Sequence, residues 1–317
     1  MSNMWFVKNG LRVGREFSWR LDLYALASFM YMSPSMQFEW LYRLSEKKHR
    51  FIIDYLEKSQ ADVIERFKEY REPLQQNEKN IIWTIWWQGE EQAPPLVKAC
   101  LESVKRNLGN AEYRIITRDN YGEYLDLPDF IWEKHKAGRI SFALLSDIMR
   151  FRLLSLYGGI WLDSTIFVGR RIPDEIFTYP FWSQHTKYEK NAYVQKNLYH
   201  FFTIGGLKGN LLCTFAYEFL IEYWKKHDTI IDYFLSDYTI FVAYRNFQTF
   251  KDEIDSLPYT SERLYELVHS LDDPYDSDKL DALLAECTYS KLDWHRKYRV
   301  EAGGKETIFA HLTREFL

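Results

Sequence analysis

This chain has no apolar run approaching the length of a bilayer crossing, which argues against a helical membrane protein. Cysteine is scarce. Cys100, Cys213 and Cys287 are odd in number and far apart, so neither a disulfide framework nor a zinc spacing follows, and a reducing compartment is expected. Positive charge is not in excess. The net charge of −4 gives no global basic field, which excludes nucleic acid as an expected partner. There is no internal repeat, low-complexity tract, Walker loop or Gly-x-Gly-x-x-Gly, which disfavours kinase and dehydrogenase chemistry. The first ten residues lack the continuous apolar core of a signal peptide, so a cytoplasmic location is expected.

What the chain has in quantity is aromatic side chains, 18% of its 317 residues. Most of them suit a core, but flat apolar rings with a polar edge also match sugar faces and nucleobases. Residues 1–78 read as an N-terminal helical region. Leu21, Leu23, Tyr24, Leu26, Ala27, Met30 and Tyr31 form one apolar group, and Phe51, Ile52, Tyr55, Leu56, Val63, Ile64 and Phe67 another. Trp5, Phe6 and Trp19 stand among Lys8, Arg12, Arg15 and Arg20 as in interfacial segments. Two fates are open to this region: a helical pair packed on the remainder, or peripheral contact with the inner face of the plasma membrane. Glu72-Pro73 through Asn80 reads as a linker.

Residues 79–317 begin with a run from Ile81 to Trp87, dominated by β-branched and aromatic residues, which predicts a buried strand. Pro94-Pro95 opens a helix and Tyr113 to Thr117 predicts a second strand. The most informative stretch runs from Ser141 to Asp163. Phe142, Leu145, Ile148, Met149, Leu153 and Leu156 give one helical face, with Asp147 and Arg150 neighbours off it. Gly158-Gly159 ends the helix, and Ile160-Trp161-Leu162 reads as a strand delivering Asp163, Ser164 and Thr165 at its carboxyl end. Alternation of strand and helix predicts an α/β fold with a doubly wound sheet, in which ligands collect outside the carboxyl ends of strands. Phe201 to Gly206 predicts a strand and turn whose glycines let a substrate approach the backbone, and Ile230 to Tyr244 a helix. The acidic stretch Leu271 to Asp278 lacks the glycine and final glutamate of a calcium loop and reads as a solvated helix cap.

Ser146-Asp147-Ile148-Met149-Arg150 followed by Gly158-Gly159-Ile160-Trp161-Leu162-Asp163-Ser164-Thr165 resembles the donor-site pattern of GT-A glycosyltransferases of the glycosyltransferase 32 type. The resemblance is nearest to the capsular polysaccharide synthesis branch and runs from about Lys79 to the Lys291 region. It includes Ile85-Trp86-Trp87-Gln88-Gly89 and Asp232 to Asp237. It implies a GT-A-like, Rossmann-like sheet flanked by helices, with the N-terminal helices as an appendage. It further implies a hexosyltransferase acting with retention, moving sugar from a nucleotide donor, UDP-linked by expectation, to a growing surface polysaccharide or its lipid-linked precursor. By the same resemblance Asp147, Arg150 and Asp163 are the catalytic set. Trp86, Trp87, Gln88, Ser146, Trp161, Leu162 and Ser164 join them in binding the donor, with Trp86 stacked on uracil.

The family pattern also implies a divalent cation, manganese or magnesium, at Asp163. Here the chain departs from it, because the second acid of Asp-x-Asp is Thr165, a weak neutral ligand. Metal is then expected to be held mainly by the donor diphosphate, assisted by Asp163 and by Thr165, Asp237 or His311. Asp232 is a further candidate, with a helix cap as its plain alternative. The same departure leaves room for a different class of protein, a non-catalytic regulator that binds nucleotide-sugar or glycan.

Overall fold

In the computed structural model, residues 12–70, 74–187 and 190–316 are described. Trp5, Phe6 and Lys8, part of the interfacial reading, lie outside the described residues, as does Glu72-Pro73 of the linker. Ser18 caps α1 (Trp19–Tyr31) by accepting from the backbone N–H of Arg20, as short hydroxyl side chains do at helix starts. Next come α2 (Glu39–Ser59) and α3 (Ala61–Lys68). Ile52, Ile53 and Leu56 of α2 and Val63, Ile64 and Phe67 of α3 are buried in one apolar cluster with Trp83, Phe215 and Tyr238. The N-terminal helices thus share the core of the chain that follows. At the same time α1 leaves Trp19, Leu23 and Leu26 exposed.

The remaining elements alternate at first. They are β1 (Ile81–Ile85), α4 (Pro95–Arg106), β2 (Glu112–Ile116), α5 (Asp129–Lys136), α6 (Phe142–Tyr157) and β3 (Gly159–Leu162). β4 (Ile166–Val168), β5 (Phe181–Ser183) and β6 (Thr203–Gly206) follow, then α7 (Leu211–Lys226), α8 (Leu235–Asn246) and α9 (Gln248–Asp255). The chain closes with α10 (Glu266–Ser270), α11 (Ser277–Glu286), β7 (Tyr289–Lys291), β8 (Glu301–Ala302), β9 (Lys305–Glu306) and α12 (Ile308–Glu315).

Five strands make one sheet in the order β2-β1-β3-β6-β5. β1 runs parallel to both β2 and β3, as the alternation predicts, whereas β6 is antiparallel to β3 and to β5. The architecture is therefore a mixed α/β sheet flanked by helices, parallel only where helices cross between strands. A separate ribbon pairs β4 with β7 antiparallel, bringing Lys291 opposite Ile166.

Three expectations need correction. β1 stops at Ile85, and Trp87 and Gln88 stand in the turn beyond it, so the three tryptophans do not share one strand. Ile230 to Phe234 is not helical, because Asp232 folds that segment into a turn: its Oδ1 accepts from Phe234 N at 2.9 Å. The glycines of β6 serve strand packing rather than ligand approach. A Cβ on Gly205 would lie 2.1 Å from the Gly159 carbonyl oxygen of β3, so only glycine permits these two backbones to pair so closely. The acidic stretch behaves as read, with Asp276 capping α11 through Lys279 N.

Candidate active site

Helix α6 begins at Ser141, whose side chain accepts from Leu144 N, and ends at Gly158 with a φ of 66°. Gly159 continues at a positive φ of 95°, so the pair turns the chain directly into β3. Short strand, long helix and tight turn together fix Asp163 opposite the middle of α6. Because Trp83 lies beside Trp161 in the parallel ladder, the chain also leaves β1 next to the point where Asp163 emerges.

Asp163 is the hub of the site. Its Oδ1 accepts from Arg150 Nη2 and from Trp161 Nε1, each at 2.9 Å, and its Oδ2 accepts from Lys291 Nζ at 2.8 Å. Burial pushes this carboxyl up, but the Lys291 ammonium, the Arg150 guanidinium and the Lys291 and Trp161 hydrogen bonds outweigh it. Asp163 is held below the ordinary carboxylate range. Its side chain is 27% exposed.

Arg150 is more enclosed, its side chain only 5% exposed. Its guanidinium lies 3.9 Å from the Phe201 ring centre and 4.6 Å from that of Trp161, and Nη1 donates to the Phe201 carbonyl at 2.6 Å. Such a clamp holds a cation rigidly against Asp163. Asp147 stands 3.5 Å from the same guanidinium and accepts from Ser236 Oγ at 2.7 Å. Burial dominates its chemistry, and despite Arg150 and Ser236 the carboxyl is pushed up to about 6, with Asp163 adding to the rise. Asp237, buried in the first turn of α8, is pushed up to about 7 by burial and by Asp147.

The expected residues fall into three groups. Asp147, Arg150, Trp161 and Asp163 converge, and Asp237 joins them electrostatically. Ser146 is buried in α6, Leu162 sits wholly in the core and Ser164 occupies the turn after β3. Trp86 is half-buried against Ala93, Val97 and Leu101 and meets Trp294 edge-on at 5.7 Å. Trp87 packs among Tyr121, Phe142 and Trp132, and Gln88 is exposed in the turn beside it. Two candidates have partners elsewhere. His311 stacks on Tyr275 at 3.6 Å and neighbours Glu306 and Arg314, and Asp232 is buried in an ion pair with Lys48 at 3.2 Å.

Lys291 is the member that sequence reasoning missed. Its Nζ donates at 2.8 Å to Asp163 Oδ2 and at 2.8 Å to Thr165 Oγ1, so an ammonium lies against the two side chains where the family pattern calls for acids around a metal. Among the described residues, no cluster of three or more His, Cys, Asp or Glu side chains is placed to hold a metal ion. With both Asp163 oxygens already taken by cationic and N–H donors and the threonine hydroxyl taken by lysine, the donor set does not fit a resident divalent ion. Around this centre stand aromatic side chains that the sequence did not single out. The Lys291 ammonium lies 5.1 Å from the Phe202 ring centre, and Phe202 meets Tyr265 edge-on. The Tyr233 hydroxyl is pushed up by burial first and then by Asp147, Asp163 and Asp237.

Comparison with known proteins places this geometry in context. Residues 35–312 match the sequence model of a family described as capsular polysaccharide synthesis protein. Two fungal proteins share shorter stretches: the O-glycosyltransferase PaGT of Phomopsis amygdali, 30% identical over 127 residues, and the O-glycosyltransferase braB of Annulohypoxylon truncatum, 28% identical over 131. These stretches cover 37% and 38% of this chain and 30% of each relative. Among solved structures, the PaToxG glycosyltransferase aligns over 85% of this chain and 96% of its own, with a TM-score of 0.42 and 11% identity.

Proposed function

The chain belongs to the capsular polysaccharide synthesis protein family, and from that premise and the Asp163 centre we propose that it is a glycosyltransferase using a nucleotide-sugar donor. The donor we favour is UDP-linked, the acceptor a surface polysaccharide or its lipid-linked precursor, and the outcome retention. The single observation that carries this reading is the convergence of Asp147, Arg150, Asp163 and Lys291 at the carboxyl end of β3. Ligands of open α/β sheets collect there.

Glycosyl transfer breaks the bond between the anomeric carbon and a diphosphate oxygen. The electron pair leaves with the diphosphate, the acceptor hydroxyl oxygen bonds to the carbon, and its proton passes to the departing phosphate oxygen. The enzyme must offset charge on the leaving group while tolerating positive charge on the sugar carbon. Lysine and arginine beside an ionised aspartate supply both signs within one hydrogen-bonded set. In this reading Asp163 Oδ2, which accepts from Lys291 alone, has room for one donor hydroxyl, Asp147 contacts the sugar and Arg150 fixes the orientation of both carboxylates. Trp86, at the exit of β1, offers its ring to the base, a contact worth about 1 to 3 kcal/mol.

The exposed stripe of Trp19, Leu23 and Leu26 on α1, flanked by exposed Arg12, Arg15 and Arg20, supports placement against an anionic lipid surface, where a lipid-linked acceptor would be met. The test of the catalytic reading is donor hydrolysis and transfer by wild type and Asp163→Asn. The substitution removes charge while keeping volume, and a loss of roughly 100-fold or more in rate is expected below the melting transition, together with a lower melting temperature at neutral pH because the fold favours the ionised carboxylate. Full activity in the variant would refute the site. Binding of UDP-sugar by wild type with no turnover on any glycan acceptor would instead establish the regulator reading.

A further inference from the structure

We propose that the Lys291 ammonium takes the place of a divalent metal ion at this site, and that donor diphosphate binds to it directly in a metal-independent manner. This rests on the reading that the Asp163 centre receives a nucleotide diphosphate, and it goes beyond that reading by assigning the cation.

Three observations carry it. The first is position. Lys291 Nζ sits 2.8 Å from a carboxylate oxygen and 2.8 Å from a hydroxyl, contacting Asp163 and Thr165 together, the two residues at the ends of the Asp-Ser-Thr triplet. A divalent ion binding the same two side chains would have to share their oxygens with the ammonium, at the cost of like-charge repulsion at close range.

The second is how the lysine is held. It is not a surface lysine free to swing away. The antiparallel β4–β7 ladder sets its backbone opposite Ile166, its N–H donates to Leu264 O at 2.8 Å, and the next residue, Leu292, donates to Thr165 O at 2.9 Å. The side chain is nevertheless 24% exposed, so an incoming phosphate can reach it. An ammonium has three N–H donors. Asp163 and Thr165 engage two, which leaves the third for a phosphate oxygen.

The third is the identity of residue 165. An aspartate there would face Lys291 with a second carboxylate, and two carboxylates on one ammonium leave no positive charge for a ligand. Threonine offers the hydroxyl contact without the charge. The departure from Asp-x-Asp and the presence of lysine are thus two halves of one exchange, a neutral ligand plus a built-in cation in place of an acid plus a bound cation.

The experiment is calorimetric titration of the full chain with UDP and with GDP, each in EDTA and in excess manganese, repeated on Lys291→Met, Lys291→Arg and the double variant Lys291→Ala, Thr165→Asp. We expect wild type to bind one nucleotide with affinities in EDTA and manganese agreeing within about twofold. Lys291→Met should lose tenfold or more in EDTA, Lys291→Arg should retain most of the affinity, and the double variant should bind only with manganese. Wild-type binding that requires manganese would overturn the proposal while leaving the donor reading intact, and so would Lys291→Met binding as tightly as wild type. Absence of nucleotide binding by wild type in both media would overturn the donor reading and this inference with it. Thermal melting of each variant, matched to wild type, assigns a loss to the site; should Lys291→Met melt early, the double variant and the metal-indifference of wild type decide.

Discussion

At Asp237, burial and the neighbouring Asp147 carboxylate push the carboxyl up to about 7, from an ordinary value of 3.8. A folded-state value above the unfolded one means that this group contributes stability fully only below pH 3.8 and loses it as pH rises through about 7. Asparagine mimics the protonated form at all pH values. Asp237→Asn should therefore melt like wild type near pH 4 and become progressively more stable than it up to about pH 7. The gain is a few kcal/mol, since each tenfold difference in proton affinity between folded and unfolded chain is worth about 1.4 kcal/mol. Melting curves between these limits check it, and a difference that is constant with pH would contradict the assigned burial. The same residue scale separates what the sequence disclosed about the site from what it concealed. Asp147, Arg150, Trp161 and Asp163 lie on one helix, one strand and the residue just past it, so periodicity and glycine placement put them on adjoining elements, while the resemblance to a donor-site pattern implied that they act together. Lys291 lies 128 residues beyond Asp163 and carries no motif of its own. The available signal was indirect: a carboxylate flanked by threonine in place of a second acid needs a compensating charge from elsewhere.

Among the elements, the junction of α6 and β3 depends most on one residue type. Gly158 has a φ of 66°, and a Cβ there would lie 2.0 Å from Asn77 Oδ1 and 2.6 Å from Lys208 N. The Asn77 side chain binds this turn from outside by accepting from Lys208 N at 2.9 Å, so it cannot yield without releasing that bond. Gly158→Ala should cost about 1 to 3 kcal/mol through strain and displacement of Asn77. At about 2 to 4 °C per kcal/mol for a chain of this size, a lower melting temperature is the readout. An unchanged melting temperature would show that the turn relaxes freely. The elements were legible where the residue pattern was local: the α6 boundaries, β2 and the helix opened by Pro95 all follow from caps, prolines and periodicity. They were not legible where a side chain overrode propensity. Ile230 to Phe234 is apolar enough for a helix, yet the Asp232 contact to Phe234 N and the buried pair with Lys48 of α2 hold it as a turn. The antiparallel direction of β6 was likewise hidden, because strand direction depends on partners distant in sequence.

For the whole molecule, the N-terminal helices do two things at once. The inner faces of α2 and α3 complete the main core, and the outer face of α1 presents Trp19, Leu23 and Leu26 beside exposed arginines. In a vesicle flotation assay the chain should associate with anionic but not with neutral vesicles, and more weakly as salt is raised. Trp19→Ser combined with Leu23→Ser should abolish association without altering nucleotide binding, because neither residue belongs to the core cluster. Equal binding of the double variant would remove the lipid role from this face. The contact of Lys291 with Asp163 has one more consequence, for the order in which a nascent chain is completed. Both carboxylates of α6 and β3 leave the ribosome long before the lysine, 128 residues behind Asp163. At ordinary elongation rates of about 5 to 20 residues per second, that is an interval of several seconds or more. During it the strands up to β6 are available to pair while the carboxylate has only Arg150 and Trp161 for company. A premature stop between Gly206 and Lys291 would yield a product with all five sheet strands present and its charge centre incomplete, and such a product should be inert.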